Sequence, residues 1–425
     1  MKRFLAYALI LMLLFACACG EKANAPIETP EIVPETPAPT LTPNVTPGAA
    51  AVDEDALKLS TCIIRCDDAI NMRSAPSSRA ELIRQIPAGT RVRVIEFEKR
   101  YAYVELVDSG EKGYISAGYL QPETDVYNLN IVSITDRYSY EQMRMDLDAL
   151  QAAYEPRAKV EIAGKSVQGR DIPVLVMGDP NAPYQVFVQA SIHAREHMTA
   201  LLVMALSEAW LASGGGADVC FHVMPMSNPD GVAISQNTYF DENIKAIFAG
   251  DYSAGRTQLI EEKYRSQWKA NYNGVDINRN FDALWENVNT VPEPSSEGYR
   301  GAAPGSEPET RALVNYTQSH DFDLTISYHA TGSLIYWQFG PNTPADEAAH
   351  AIAQVLGGLM GYSVERDDGT SFGGYKDWAS SKCGIPSLTI EIGTREAPLP
   401  VEDFYNIWAR NRLVFKTVAE WVKSA

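Results

Sequence analysis

Val186-Phe-Val-Gln-Ala-Ser191-Ile-His193-Ala-Arg195-Glu196-His197 is an apolar, strand-like run that stops abruptly on imidazole, guanidinium and carboxylate. Chemistry collects at such strand ends. His193 and Glu196 are three apart, so on a helical turn their side chains rise on one face about 5 to 6 Å apart at Cβ, close enough to share one metal ion. Zinc is the first candidate. The same letters fit a second template, His-x-x-Glu-His, the inverted zincin motif, in which His193 and His197 bind zinc and Glu196 is the base. A solvated helix start is the plain alternative, and it leaves two histidines and an acid together without purpose. The rest of the chain decides.

Met1-Lys-Arg gives a positive start, Phe4 to Phe15 is one apolar run without charge, and Ala16-Cys17-Ala-Cys19 follows at once. Residues 1–19 therefore read as a secretory signal, too short for a membrane span. Cys17, preceded by Leu14-Phe15-Ala16, resembles the lipobox cysteine of bacterial lipoproteins, which is lipidated and becomes the mature N-terminus. Cys19 and plain cleavage are the competing readings. The resemblance implies a lipid-anchored protein at the cell envelope of a bacterium, outside the cytoplasm.

Between Glu21 and Ala50 stand seven prolines and five threonines with almost no aromatic or branched apolar content. Such a stretch cannot bury enough surface to offset the entropy of ordering, so residues 20–58 are expected to be an extended linker. What remains exceeds the usual size of one domain and suggests two units. The net charge of −18 argues against a nucleic-acid partner. Cys62 and Cys66 lie four apart on an expected strand, which spans about 13 Å and forbids a disulfide.

Short strands with turns between them fill residues 59–122, among them Arg91-Val-Arg-Val-Ile-Glu-Phe97 and Tyr101-Ala-Tyr-Val-Glu-Leu-Val107. A small all-β barrel is the natural closure. Ile70-Asn-Met-Arg-Ser-Ala-Pro76, Ile86-Pro-Ala-Gly-Thr90, Lys112-Gly-Tyr-Ile-Ser116 and Tyr119-Leu120 resemble the bacterial SH3-type domain. That resemblance implies binding to cell-wall peptide, with Tyr101, Tyr103, Tyr114 and Tyr119 as candidates to line a groove; half-buried strand faces would use the same tyrosines.

From Tyr127 to the end at residue 425, helices and strands alternate. Tyr138 to Tyr154 has helical spacing, with Met143, Leu147 and Leu150 on one face. Val174–Met177, Val186–Ala190 and Val219–Met226 read as buried strands, and His197–Leu211 as a helix. The alternation predicts an α/β sheet with helices on both faces. Further motifs collect at strand ends: Pro225-Met-Ser-Asn228-Pro-Asp230-Gly231, then Gly274-Val-Asp276-Ile-Asn278-Arg279-Asn280-Phe281 after a helix expected to contain Trp268, then Ser306-Glu307-Pro-Glu309-Thr-Arg311. His329 ends the run Thr325-Ile-Ser-Tyr-His329, and Glu391 sits in Leu388-Thr-Ile-Glu391-Ile-Gly393. A third imidazole and a later carboxylate are what a catalytic zinc needs, a ligand and a general base.

These motifs in this order, over nearly all of residues 127–425, resemble the zinc metallocarboxypeptidase family. The resemblance implies its mixed α/β sheet and one Zn2+ held by His193, Glu196 and His329. It also implies Glu391 as general base, Arg195 as an oxyanion-stabilising arginine, and Asn278 with Arg279 on the substrate's terminal carboxylate. Asp276 matches the acid that orients the first ligand histidine.

Three positions depart from the digestive branch. Lys269, after Trp268, stands where those enzymes have an oxyanion arginine, and it keeps the charge without the bidentate fork. Gly369 falls where a mobile tyrosine would sit. Lys376 falls at the position governing side-chain preference. Trp268-Lys-Ala-Asn271 and Gly374-Tyr-Lys-Asp-Trp378 look instead like the bacterial branch that cleaves the γ-D-glutamyl to meso-diaminopimelate bond of peptidoglycan stem peptides. The alternatives are a carboxypeptidase acting on ordinary peptides and a wall-binding lipoprotein without activity.

Overall fold

The computed structural model describes residues 60–66, 68–123, 127–215, 218–341, 343–366 and 371–424. The expected signal and linker, Cys17 and Gly369 lie outside them. Among the described residues no helix is long and apolar enough to cross a membrane, and Cys220 and Cys383 are free thiols.

Seven antiparallel strands form the first sheet: β1 (Thr61–Ile64), β2 (Ala69–Arg73), β3 (Leu82–Pro87), β4 (Arg91–Glu98), β5 (Tyr101–Leu106), β6 (Lys112–Ser116) and β7 (Leu120–Pro122). Their order is β3-β2-β6-β5-β4-β1-β7, so the two ends do not pair and the barrel is not fully closed. Period-two alternation in β4 and β5 turns Val92, Val94, Ala102, Val104 and Leu106 into a core of their own, shared with Cys62, Met72 and Ile115. On the opposite face Tyr103 and Tyr114, paired in register, meet with ring centroids 4.9 Å apart. Tyr119 instead packs against the core.

Eight strands build the second sheet: β8 (Ala158–Lys165), β9 (Asp171–Met177), β10 (Tyr184–Ala190), β11 (Val219–Met224), β12 (Leu324–Ala330), β13 (Leu334–Tyr336), β14 (Ser363–Glu365) and β15 (Ser387–Ile392), in the order β14-β13-β15-β12-β10-β11-β9-β8. β11, β10, β12 and β15 run parallel; β9 against β11 and β13 against β15 make the sheet mixed. Alternation along β10 sends Val186, Val188 and Ala190 into the larger apolar layer and Phe187 into the smaller one on the other face. Both faces are therefore covered, which is why these strands read as continuous apolar runs.

In the larger layer lie helices α1 (Tyr140–Tyr154) and α2 (Met198–Ala212). Ser139 caps α1 by accepting from Gln142 N. α2 buries twelve of its fifteen residues, so its surroundings, not an amphipathic stripe, hold it. Its Glu208 is fully buried and accepts from the backbone N–H groups of Asn130, Ile131 and Val132, tying the segment before α1 to the core. Three shorter helices follow β11: α3 (Pro229–Ser235), α4 (Glu242–Ser253) and α5 (Glu261–Ser266). Trp268 lies just past α5, not within it, because the chain leaves the helix to reach the site. Further helices among the described residues are α6 (Pro308–Gln318), α7 (Pro344–Met360), α8 (Tyr375–Cys383), α9 (Phe404–Asn411) and α10 (Val414–Val422).

The two sheets lie within one compact unit. Ile63 of β1 joins the larger apolar layer, where Tyr127 meets Phe404 and Trp408 edge-on at 5.4 and 5.9 Å. Gly89 has φ +82°, and a Cβ there would come within 2.9 Å of Tyr405 on α9. Only glycine allows both that backbone and that approach.

Candidate active site

Because β10, β12 and β15 are parallel neighbours, their C-terminal ends open on the same edge. His329 and Glu391 are register partners, and the chain leaving β10 turns through Ser191, at φ 49°, into a single 3-10 turn, Ala194–Glu196. Ser191 N donates to Thr199 Oγ1 at 2.9 Å, and that hydroxyl donates to Glu196 O at 2.7 Å, which locks the turn onto α2.

The turn puts His193 Nδ1 2.8 Å from Glu196 Oε1, while His329 Nδ1 lies 3.1 Å from both Glu196 Oε2 and His193 Nδ1. All three residues are buried, and among the described residues they form the one group of three or more with metal-ligand spacing. His197 is not in the group: it starts α2, so the inverted zincin arrangement does not form. The donor set fits zinc on its chemistry. Two neutral imidazoles facing each other nitrogen to nitrogen can share only one proton, and the carboxylate adds acceptors. The nitrogen–nitrogen distance of 3.1 Å, and those of 2.8 and 3.1 Å to the two oxygens of Glu196, are close to the roughly 3.3 Å that tetrahedral ligands span at zinc distances.

His193 Nε2 faces Asp276 Oδ1 at 3.3 Å, and Lys269 Nζ lies 3.9 Å from Asp276 Oδ2. Burial pushes the Asp276 and Glu196 carboxyls upward, but nearby positive charge and ring hydrogen bonds outweigh it and hold both well below the usual range. For Glu391 the loss of water wins: it is pushed up to about 7, against the pull of His329 and with Glu196 adding to the push. A bound divalent cation draws it back down.

Loops that carried motifs in the sequence prove to be staples. Asn228 Nδ2 donates to Ile192 O and Ala270 O, joining the turn that carries His193 to the loop that carries Lys269. Asn271 Nδ2 donates to Glu307 and Glu309 ahead of and within α6. Asn278 Oδ1 accepts from Tyr375 N at 2.9 Å, and a Cβ on Gly373, whose φ is +72°, would come within 2.7 Å of Arg279 O. The Asn278–Arg279 turn is thereby pressed against the start of α8.

A cavity of about 670 Å³ takes in His193, Arg195, Glu196, Lys269, Asn278, Arg279, His329, Lys376 and Glu391; Asp276 stands behind His193. Arg195 bonds Gln267 O at 3.1 Å and Glu297 at 2.9 Å, and Arg279 Nη1 turns back to Asn278 O. Lys376 is 7% exposed, donates to Gln338 O at 2.8 Å and lies 2.6 Å from Asp377 Oδ1. Tyr336, Glu365, Arg366 and Asp377 also line the cavity. The sequence singled out none of these four; Asp377 sat inside a quoted motif, and the edge strands β13 and β14 are too short to leave a pattern.

The family model described as zinc carboxypeptidase matches residues 143–413. The chain belongs to the zinc carboxypeptidase family. It is accordingly a zinc metallopeptidase, and the bacterial SH3 domain model matches residues 68–121 ahead of it. A relative from Lysinibacillus sphaericus, gamma-D-glutamyl-L-diamino acid endopeptidase 1, is 30% identical over 297 residues, covering 65% of this chain and 71% of its own. Carboxypeptidase B of Astacus astacus is 27% identical over 283 residues, covering 61% and 86%. The crystal structure of carboxypeptidase A from Helicoverpa armigera shares the fold, with a TM-score of 0.54 at 18% identity over 77% of this chain and 92% of that one.

Proposed function

We propose that this zinc carboxypeptidase family member hydrolyses the amide joining the γ-carboxyl of D-glutamate to meso-diaminopimelate in peptidoglycan stem peptides. The observation that carries the reading is the charge of the cleft. In a chain of net charge −18, five cations (Arg195, Lys269, Arg279, Arg366 and Lys376) line the cavity that holds the metal-ligand set. Of its four acids, Glu196 and Glu391 are committed to chemistry. A γ-linked stem presents three free carboxylates, one on glutamate and one at each end of diaminopimelate, whereas an ordinary peptide C-terminus presents one. The name of the Lysinibacillus relative points to the same bond class.

When bound, zinc supplies a Lewis acid for the scissile carbonyl and lowers the pKa of water. The chain does the rest. His193, Glu196 and His329 hold the ion, and Asp276 fixes the His193 ring through Nε2. Glu391 takes the proton of the attacking water on its carboxylate and delivers it to the departing amine. Arg195 and Lys269 face the developing oxyanion, and Arg279 with Asn278 takes the carboxylate next to the scissile bond. Lys376 meets the carboxylate at the far end of the side chain.

The same reading places the protein at the bacterial envelope, lipidated at Cys17 and bound to the wall through residues 59–122. The holoenzyme should convert L-alanyl-γ-D-glutamyl-meso-diaminopimelate to the dipeptide and free diaminopimelate, identified by mass, and should leave the α-linked isomer nearly untouched. Equal cleavage of both isomers would make it an ordinary carboxypeptidase. Radiolabelled palmitate incorporated by wild type and not by Cys17→Ser would support the anchor; equal incorporation would remove Cys17 from it.

A further inference from the structure

A second cavity, of about 430 Å³, adjoins the catalytic one and is of a size that holds small ligands. Arg195 lines both cavities, whereas Asn278, Arg279 and Lys376, assigned above to the leaving diamino acid, line only the first. The two differ in charge. Cations dominate the catalytic cavity, but in the second each charge is cancelled. Arg256 Nε lies 2.6 Å from Asp251 Oδ1 and its Nη2 2.8 Å from Glu293, while Arg195 meets Glu297 at 2.9 Å. Asp251 also accepts from the hydroxyls of Tyr264 and Ser295. What the lining offers besides is neutral: the hydroxyl of Thr257, the apolar side chains of Leu259 and Val291, and Gln267. The backbone oxygen of Gln267 holds Arg195, and its carboxamide makes no hydrogen bond among the described residues.

We propose that this second cavity binds the N-acetylated sugar to which the stem's L-alanine is amide-linked, so that the substrate is a stem still attached to its sugar. The inference rests on the γ-D-glutamyl-diamino acid reading above and deepens it. An amide is planar and trans, so its acyl half leaves the scissile bond opposite its amine half. With the diamino acid held at Arg279, D-glutamate and then L-alanine run the other way, along the flank of Arg195. The group beyond L-alanine passes Arg195 into the second cavity. A free amine there would meet no unpaired acid, and a carboxylate no unpaired base. The sugar brings hydroxyls and an amide but no charge, its own carboxylate being consumed in the link to L-alanine. That matches a lining of hydroxyl, carboxamide and apolar side chains. Binding there, remote from the reacting atoms, raises kcat/KM. An amidase-type reaction that strips the sugar from the stem then follows this one instead of preceding it.

Substrates sharing one scissile bond separate the sugar from a mere acyl cap: L-alanyl-γ-D-glutamyl-meso-diaminopimelate with a free amine, with an N-acetyl group, and with N-acetylmuramic acid. For the wild-type holoenzyme kcat/KM should be highest on the muramyl tripeptide, about tenfold above the N-acetyl one, the worth of one to two neutral hydrogen bonds. Thr257→Trp, which fills the cavity, should bring that ratio close to unity. Leu259→Asp, which puts an unpaired charge into it at a position already 45% exposed, should do the same and spare the fold. Each comparison is a ratio within one protein, and the wild-type series stands even if a variant folds poorly. Equal rates on the N-acetyl and muramyl substrates, a slower rate with the sugar, or a ratio that neither variant changes would overturn the sugar site while the wall-peptidase reading survives. If none of the substrates is cleaved, both fall.

Discussion

Glu196 and Glu391 face the same small volume and are asked for different things. Glu196 sits between two imidazoles with its carboxyl held ionised, as a metal ligand requires; Glu391 stands across from His329 without a ring nitrogen bonded to it. Glu391→Gln should therefore keep stoichiometric zinc and lose turnover by about a hundredfold to ten-thousandfold, the usual value of a general base. Glu196→Gln should lose metal and activity together. His197→Ala should keep its zinc, since that residue starts α2 and does not join the ligand set. Zinc content by atomic absorption beside kcat/KM checks all three, and release of zinc by His197→Ala would restore the inverted zincin assignment.

Among the elements, α2 and β11 each carry a buried polar residue that the chemistry does not use. Glu208→Ala should destabilise the protein by about 2 to 4 kcal/mol, because three backbone N–H groups lose a charged acceptor at once. A denaturation midpoint unchanged from wild type would disprove that role. On β11, burial and then the charge of His320 lower His222 to about 4, and it packs against Tyr316, Gln185, Cys220, His320 and Phe322, with the Glu161 charge opposing. Its folded pKa is below the unfolded 6.5, so the folded state binds fewer protons between those values. The contribution is complete above pH 6.5 and is lost as pH falls towards 4, about 3 kcal/mol at most. His222→Phe should be less stable at pH 7 but flatter across that window in melting temperature; an unchanged slope would refute the assignment.

The strand-end logic was legible because β10, β12 and β15 are apolar on both faces and stop on polar residues, so His193, His329 and Glu391 announce themselves in one dimension. Their parallel order, which brings them together, needed the family resemblance. Asp377 was not legible, since its place beside Lys376 on the cavity wall is a product of tertiary packing. Nor was the end of α5 before Trp268, where tertiary contacts stop a helix that local spacing would continue.

For the whole molecule, the packing of the first sheet against α9 and the apolar layer around it matters most. Two units joined by a flexible link would allow residues 60–122 to be deleted at no cost. With Ile63, Tyr127, Phe404, Trp408 and Tyr405 meeting near Gly89, deletion should instead uncover apolar surface and lower the melting temperature. That contact was hidden from the sequence because its partners lie more than 270 residues apart. Wall binding is therefore better probed by Tyr103→Ala with Tyr114→Ala, which removes the outward ring pair and spares the core. The double variant should sediment less with purified sacculi while cleaving soluble stem tripeptide at the wild-type rate; undiminished sedimentation would clear these tyrosines of the role.

The central claim is that one zinc ion, held by His193, Glu196 and His329, turns this cleft into a γ-D-glutamyl-diaminopimelate peptidase. Its most direct test is release of free diaminopimelate from the stem tripeptide by chelator-treated protein titrated with zinc. The rate should start near zero and rise to a plateau at one equivalent per chain. Release without metal, or none at any zinc concentration, would contradict the claim.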